Sequence, residues 1–435
     1  MNPLVIGIIG LIIMLVLVLY GVHIAVSLLT VGFFGIVLIT GWKPATQLLA
    51  STMYYKVATF DFAVIPLFVL MGMLATSLGM TTEIYDCLSK WLSKMRGGLG
   101  VATTWACTAF GTLNGSALVT SSVFAKACVP EMRRFGYDKK VAYGLVTAAG
   151  SIGQMIPPSI MLVVYGAISG DSIGELLISG IQPGLVLAIA FSAYIIILAF
   201  VKPKLVPRAE KSATWSERIT SLKYMIPIAI VAFVIVGGIF SGIFSSSEAG
   251  AIGCVVFFVY GLIKRVKWKA YVEAIFETMK TSAMLFVLMA CAGVFGRFLT
   301  VSGVADALVG TVVRANFPPA IFMVMATVVF LILGCFLDST SMISICVPIF
   351  YPACIALGIP PMQFAMVCLL AIHCGTITPP VGLCAFSVKG VAEPDTTLND
   401  IFSGSMPYLI VMIIVTILFC FVPAFSTTLP ALMNH

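Results

Sequence analysis

Gly150-Ser151-Ile152-Gly153-Gln154-Met155-Ile156-Pro157-Pro158-Ser159 and Gly375-Thr376-Ile377-Thr378-Pro379-Pro380-Val381-Gly382 decide how this chain folds. Each double proline lies within a long apolar stretch, Val141–Ser169 in one case and Met362–Lys389 in the other. There it removes two backbone donors and clashes with the preceding turn, so a helix running through the stretch breaks. In lipid, freed carbonyls are tolerated only where the backbone is buried in protein or lines a cavity. A single break of this kind is readily healed by neighbouring helices. Two at matching places point to use. Carbonyls together with Ser and Thr hydroxyls make an all-oxygen cage suited to a hard cation such as Na⁺.

The rest of the 435 residues sets these breaks in a membrane. The chain is 60% hydrophobic and 9% charged. A soluble domain carries about 25% charged residues. Apolar runs of about 20 residues recur, each long enough to cross the hydrocarbon core as a helix. They lack the alternation of a membrane barrel. The net charge of +7 is confined to connections and is read as topology. No basic segment interleaves with aromatics, so nucleic acid is not an expected partner. The twelve cysteines are scattered through apolar stretches without a C-x-x-C pair, as buried thiols would be.

Two further apolar segments, Leu99–Ala127 and Pro318–Cys354, have polar centres: Gly111-Thr112-Leu113-Asn114-Gly115-Ser116 and Gly334-Cys335-Phe336-Leu337-Asp338-Ser339-Thr340-Ser341. If each enters and leaves on one side as a hairpin, the basic connections gather on one face. Only Lys43, Lys56 and Arg314 remain on the other, with Lys280 and Arg297 inside an apolar run. Reading either segment as a single crossing destroys that asymmetry. The basic face is then cytoplasmic and both termini lie on the opposite side.

The two halves match at an offset of 222 residues: Pro130 with Pro352, Gly136 with Gly358, Gly153 with Gly375, Pro157-Pro158 with Pro379-Pro380, and Ser116 with Asp338. Five crossings per half bring the second half in from the opposite side, which makes an inverted repeat. The expected fold is all-α and polytopic, with inverted repeats, two re-entrant hairpins and two discontinuous helices. The first repeat covers 1–201, with its hairpin at about 99–127 and broken helix at about 141–169. A cytoplasmic linker covers 202–223. The second repeat covers 224–435, with its hairpin at about 318–354 and broken helix at about 362–389.

Tips and breaks from both halves can meet near the midplane, where ions and substrate bind. Asp338, a carboxylate at membrane depth, is a functional candidate: a cation ligand, an acceptor for a substrate hydroxyl, or a charge at the interface. Arg297 either clamps a carboxylate with two parallel hydrogen bonds or snorkels to headgroups. His373, two residues before the second break, is either proton-linked or simply packed. Only three histidines occur, and neither H-E-x-x-H nor G-x-S-x-G is present, so no catalytic residue is assigned and an enzyme is not expected.

The two breaks, the Phe135–Lys140 loop (FGYDKK) and the Leu337-Asp338-Ser339-Thr340 tip together resemble the large membrane subunit of tripartite ATP-independent periplasmic (TRAP) transporters, the DctM-like family. The resemblance runs along essentially the whole chain. It implies a multi-pass protein of the bacterial inner membrane that imports a small organic acid, such as a C4-dicarboxylate or sialic acid, by Na⁺-coupled elevator movement. It implies two partners, a small four-helix DctQ-like membrane subunit and a soluble periplasmic DctP-like binding protein. No cofactor is implied beyond Na⁺ as coupling ion. By motif position, one Na⁺ would lie among Asn114, Ser116, Gly150, Gly153 and Pro157. A second would lie among Gly334, Asp338, Gly375, Thr378 and Pro379. Substrate would meet Ser116, Ser159, Arg297 and Asp338. At the first tip the family usually reads Ser-Gly-Ser, and here Asn114 stands in the first position. The alternative is a stand-alone Na⁺/dicarboxylate or citrate symporter of related architecture.

Overall fold

In the computed structural model, residues 2–92, 94–207 and 213–433 are described. Arg208 and Lys211 of the expected basic linker lie outside the described residues. The described chain is helical, and each broken or re-entrant feature has a local cause in the sequence.

The first half opens with α1 (Pro3–Leu19) and α2 (Ile24–Thr40), both apolar on all sides. Their outward faces present residues such as Ile12, Phe34 and Leu38 to the surroundings. On a water-soluble protein such a surface would aggregate, whereas in lipid it is the solvated face. Next come α3 (Trp42–Tyr55), α4 (Val64–Ser77) and α5 (Met80–Leu92), with a 69° bend between the last two. The first hairpin follows as α6 (Gly98–Asn114) and α7 (Ala117–Arg134). Gly115, with φ of +66°, turns the chain between them, a conformation that costs a residue with a Cβ about 1–2 kcal/mol. The broken helix is α8 (Lys139–Ile152), a 3₁₀ turn at Gly153–Met155, and α9 (Ile160–Ser169), bent by 51°. Then α10 (Ile173–Ser179) and α11 (Ile181–Val201) lead to the middle of the chain.

The second half begins with α12 (Trp215–Leu222), whose capping box of Thr214 and Glu217 starts a helix inside the expected linker. Helices α13 (Ile226–Ala232) and α14 (Gly238–Phe240) are joined by a π turn. They are followed by α15 (Ser246–Ile263) and by α16 (Trp268–Ser302), at 35 residues long enough to cross with turns to spare. After α17 (Val304–Arg314) comes the second hairpin, α18 (Pro319–Gly334) and α19 (Ser339–Ala356). The second broken helix is α20 (Pro361–Ile377) and α21 (Leu383–Lys389), and α22 (Leu398–Phe421) and α23 (Ala424–Ala431) close the chain.

Element boundaries repeat at offsets close to 222: α7 with α19, α8 with α20, and α9 with α21. The packing repeats as well. A Cβ on Gly111 would lie 2.9 Å from the Gly153 Cα, and one on Gly334 would lie 2.8 Å from the Gly375 Cα. In each half the hairpin's first arm therefore meets its own broken helix backbone to backbone. Close approach of this kind is how helices associate in lipid, where there is no hydrophobic drive between them. The α8–α22 contact is built in the same way, on Gly144 and Gly404.

Several elements differ from the sequence expectation. The hairpin arms run further, to Arg134 and Ala356, since polar ends do not stop a capped helix at the hydropathy edge. Helices α3 and α17 were not expected. Both are amphipathic, and a hydropathy reading passes over helices that carry only one apolar face.

One face collects the basic connections. Lys264 pairs with Glu83 at 2.6 Å, and Arg218 Nε donates to the Lys90 carbonyl. Lys139 pairs with Asp395 at 2.7 Å, and Lys140 with Asp400 at 3.6 Å. The Lys139 hydrogen bond holds the Asp395 carboxyl below its usual range. A depressed carboxylate stabilises the fold above its unfolded pKa, and that contribution fades as pH falls through the folded value. Asp395→Asn should therefore melt slightly below wild type at pH 7, with the difference shrinking as pH falls below the ordinary aspartate range. A difference that grew on acidification would contradict the pairing. Separately, Gly111→Val and Gly334→Val should each lose about 1–3 kcal/mol through overpacking. Thermal melting of the purified protein reads this, and unchanged melting would mean that the glycine contacts are not tight.

Candidate substrate and ion site

Both hairpin tips line one cavity of about 460 Å³. Asn114, Gly115 and Ser116 contribute from the first tip, and Asp338 to Ser341 from the second. Gln154 and Thr376 reach it from the two broken helices, while Met284, Leu285 and Leu288 of α16 form an apolar wall. His23 and Ile24, at the start of α2, also line it. An apolar pocket with a few convergent polar groups is the usual form of a small-molecule site.

The tips owe their shape to capping. Ser116 starts α7, accepting from the Val119 amide at 3.4 Å. Asp338 starts α19 at the equivalent position: one carboxylate oxygen accepts from the Thr340 and Ser341 amides at 3.0 and 3.2 Å, and the other from the Ser341 hydroxyl. The carboxylate is nevertheless exposed to the cavity. Its charge at a helix N-terminus is stabilised by the unpaired amides there. Asp338 is thus a helix cap as well as a cavity group, a role that counting charges at membrane depth does not reveal.

At the breaks, the carbonyls of Ile156 to Pro158 and of Ile377 to Pro380 accept no hydrogen bond among the described residues. Two cross-links hold the tips to the breaks. Gln154 Nε2 donates to the Gly115 carbonyl at 2.7 Å, and the Gly382 amide to the Cys335 carbonyl at 3.3 Å. The Gln154 amide oxygen is buried without a donor, and the Asn114 amide nitrogen is buried without an acceptor. A buried amide oxygen without a donor is the kind of group that a cation such as Na⁺ satisfies. Gln154 was passed over in the sequence, although it is a lone amide between Gly153 and Pro157. That is the signal that could have found it.

Of the remaining expected residues, Gly150 packs on Ser121 and Gly153 on Gly111, bringing α8 against the first hairpin. Thr378 donates to the Cys374 carbonyl at 2.6 Å, tightening the last turn before Pro379. Ser159 is fully buried, caps α9 and donates to the Gln154 carbonyl; it does not line the tip cavity. Nor does Arg297, which lines a separate cavity of about 290 Å³ with Lys56 and Tyr351. His373 is fully buried, with neither ring nitrogen partnered. All twelve cysteines are buried free thiols.

Paired tips and paired breaks around one cavity define a secondary transporter of the broken-helix class. The comparisons with known proteins agree. The family model "Tripartite ATP-independent periplasmic transporter, DctM component" matches residues 11–425, and the chain belongs to that family. It is 31% identical to the C4-dicarboxylate TRAP transporter large permease protein DctM of Pseudomonas aeruginosa, over 92% of this chain and 93% of that one. It is 29% identical to the sialic acid TRAP transporter large permease protein SiaM of Vibrio cholerae, over 88% and 89%. In fold it is similar to the Alcanivorax borkumensis YdaH transporter, with a TM-score of 0.62 at 16% identity, covering 99% of this chain and 98% of that one. The chain is thus a TRAP large permease, a multi-pass protein of the inner membrane.

Asp338→Ala should cost about 1 kcal/mol through loss of the cap, whereas Asn caps nearly as well as Asp. Melting of the two purified variants separates cap from charge. Equal melting temperatures would remove the capping role.

Proposed function

We propose that this permease subunit takes up a small organic acid together with Na⁺, the acid being delivered by a periplasmic binding protein, and that a small membrane subunit completes its scaffold. One observation carries the reading: two tips and two broken helices converge on a single cavity, and a hydrogen bond ties each tip to its break. In the proposed ion sites, Na⁺ sits among Asn114, Ser116, Gly150, Gly153 and Pro157, and among Gly334, Asp338, Gly375, Thr378 and Pro379. Gln154 joins the first set through its orphaned oxygen. The relatives' C4-dicarboxylate and sialic acid substrates support an organic acid here.

The elevator part of the proposal rests on α16. Its residues Met284 to Leu288 wall the tip cavity, and its residues Met289 to Thr300 wall the Arg297 cavity. At about 1.5 Å per residue, Leu285 and Arg297 stand roughly 18 Å apart along that helix. The tips and breaks then form the moving body, with α16 as the rail beside which they travel. Sodium favours movement of the loaded state only by binding it better than the empty one.

In proteoliposomes with both partners and a sodium gradient, Asp338→Asn is expected to abolish Na⁺-dependent uptake while inserting and melting normally. Full uptake by that variant would remove Asp338 from the mechanism. Arg297→Ala is expected to weaken substrate affinity far more than Na⁺ affinity, and an unchanged substrate affinity would free Arg297 of that role.

A further inference from the structure

The cavity at the far end of α16 has a feature that the tip cavity lacks: two cationic side chains. Lys56, at the end of α3, and Arg297, on α16, line it together. They also line the adjoining cavity of about 270 Å³ beside α3, so both stand on the wall between two voids. Among the described residues, neither has an ion-pair partner. Lys56 Nζ reaches only the Ala167 carbonyl at the end of α9, at 3.4 Å. Arg297 is exposed, with its five donors free of protein acceptors among the described residues. Tyr351 also lines it, its hydroxyl donating a hydrogen bond to Asp171, which is not itself part of the lining. The cations are close enough to act on each other: burial first, and the Arg297 charge second, lower Lys56 from the ordinary lysine range.

Two like charges held together in a partly buried cavity repel, and without a counter-charge this arrangement is costly. A carboxylate or other anion relieves that repulsion, and one with two negative charges does so for both cations. The fork of Arg297 suits a bidentate carboxylate, and the Lys56 ammonium acts as a second point charge.

We infer that Lys56 and Arg297 form an outer receiving site for a small organic dianion, separate from the tip cavity. Its place as the first station of uptake rests on the transport reading above; the binding itself stands on the geometry alone. Lys56 also touches the C-terminal end of α9, so an anion drawing it into the cavity loosens a contact between α3 and the broken helix.

The test is isothermal titration of the full chain in phosphatidylcholine nanodiscs without sodium, with succinate and butyrate as probes. Succinate should bind at least about tenfold tighter than butyrate, one further charge contact being worth about that factor. Lys56→Ala should bring succinate down to the butyrate level, and Lys56→Arg should restore the preference. Equal binding of the two acids, unchanged succinate binding in Lys56→Ala, or no succinate binding by wild type would each overturn the site. Arg297→Ala should weaken succinate binding as Lys56→Ala does, which places the site at their shared cavity, while wild-type succinate binding in Arg297→Ala overturns the inference. Repeating the titration with phosphatidylglycerol in the nanodiscs distinguishes the other source of anionic groups. Abolished succinate binding there would assign the two cations to lipid headgroups instead. Failure of sodium-driven uptake with succinate binding intact would count against the transport reading and not against this site.

Discussion

A carbonyl oxygen inside a membrane must be paired, enclosed or put to use, and two sets of them are unpaired among the described residues. The consecutive prolines at 157–158 and 379–380 cannot donate, and the turns before them cannot continue. Much of the surrounding architecture follows from housing the resulting gaps. The hairpin α6–α7 lies against the first and α18–α19 against the second, each through a glycine pair that lets main chain meet main chain. Hydrogen bonds from Gln154 and Gly382 then bind each tip to its break. Tip and break in each half therefore form one unit, which is the condition for them to move as one in the proposed transport cycle.

That condition explains why the hairpins are capped so carefully. A re-entrant arm that starts in the middle of the bilayer leaves its first amides without water. Ser116 and Asp338 supply acceptors at those points. The residues that satisfy the helix also line the cavity, so the structural demand and the proposed functional one fall on the same two residues. A change at either position disturbs both, and only substitutions that keep the cap while removing the charge separate them.

The architecture was legible because it is written in helix breakers and charge. The double prolines, the glycine register and the one-sided distribution of Lys and Arg each reflect a constraint that lipid imposes locally along the chain. Two of the helices that hydropathy does not report, α3 and α17, are amphipathic and answer to an interface rather than to the core. The site was legible in part. Asn114, Ser116 and Asp338 do share a cavity, because tips are placed by the fold that the breaks dictate. Arg297 and Lys56 are far apart in sequence, on helices whose relative height hydropathy does not report, so their shared cavity and its separation from Asp338 could not be read beforehand. Gln154 was hidden for a different reason: an amide among glycines and prolines carries no charge to draw notice, and only its orphaned oxygen marks it.

The two halves are alike in backbone and unlike in chemistry. Where the first tip has Ser116, the second has Asp338; where the first break has Gln154, the second has Thr376. Duplicated geometry thus brings two tips, each tied to an oxygen-rich gap, to one cavity, but only one tip carries a formal charge. A cation at the Asp338 side would gain a full counter-charge, whereas one at the Gln154 side would rely on dipoles alone. The two proposed ion sites should therefore differ in strength, with the weaker one more dependent on the rest of the cavity being filled. An anion docking between the tips would be repelled by Asp338 until a cation neutralises it. That asymmetry gives a physical reason for a positively charged companion to enter first and for an anion to need one at all.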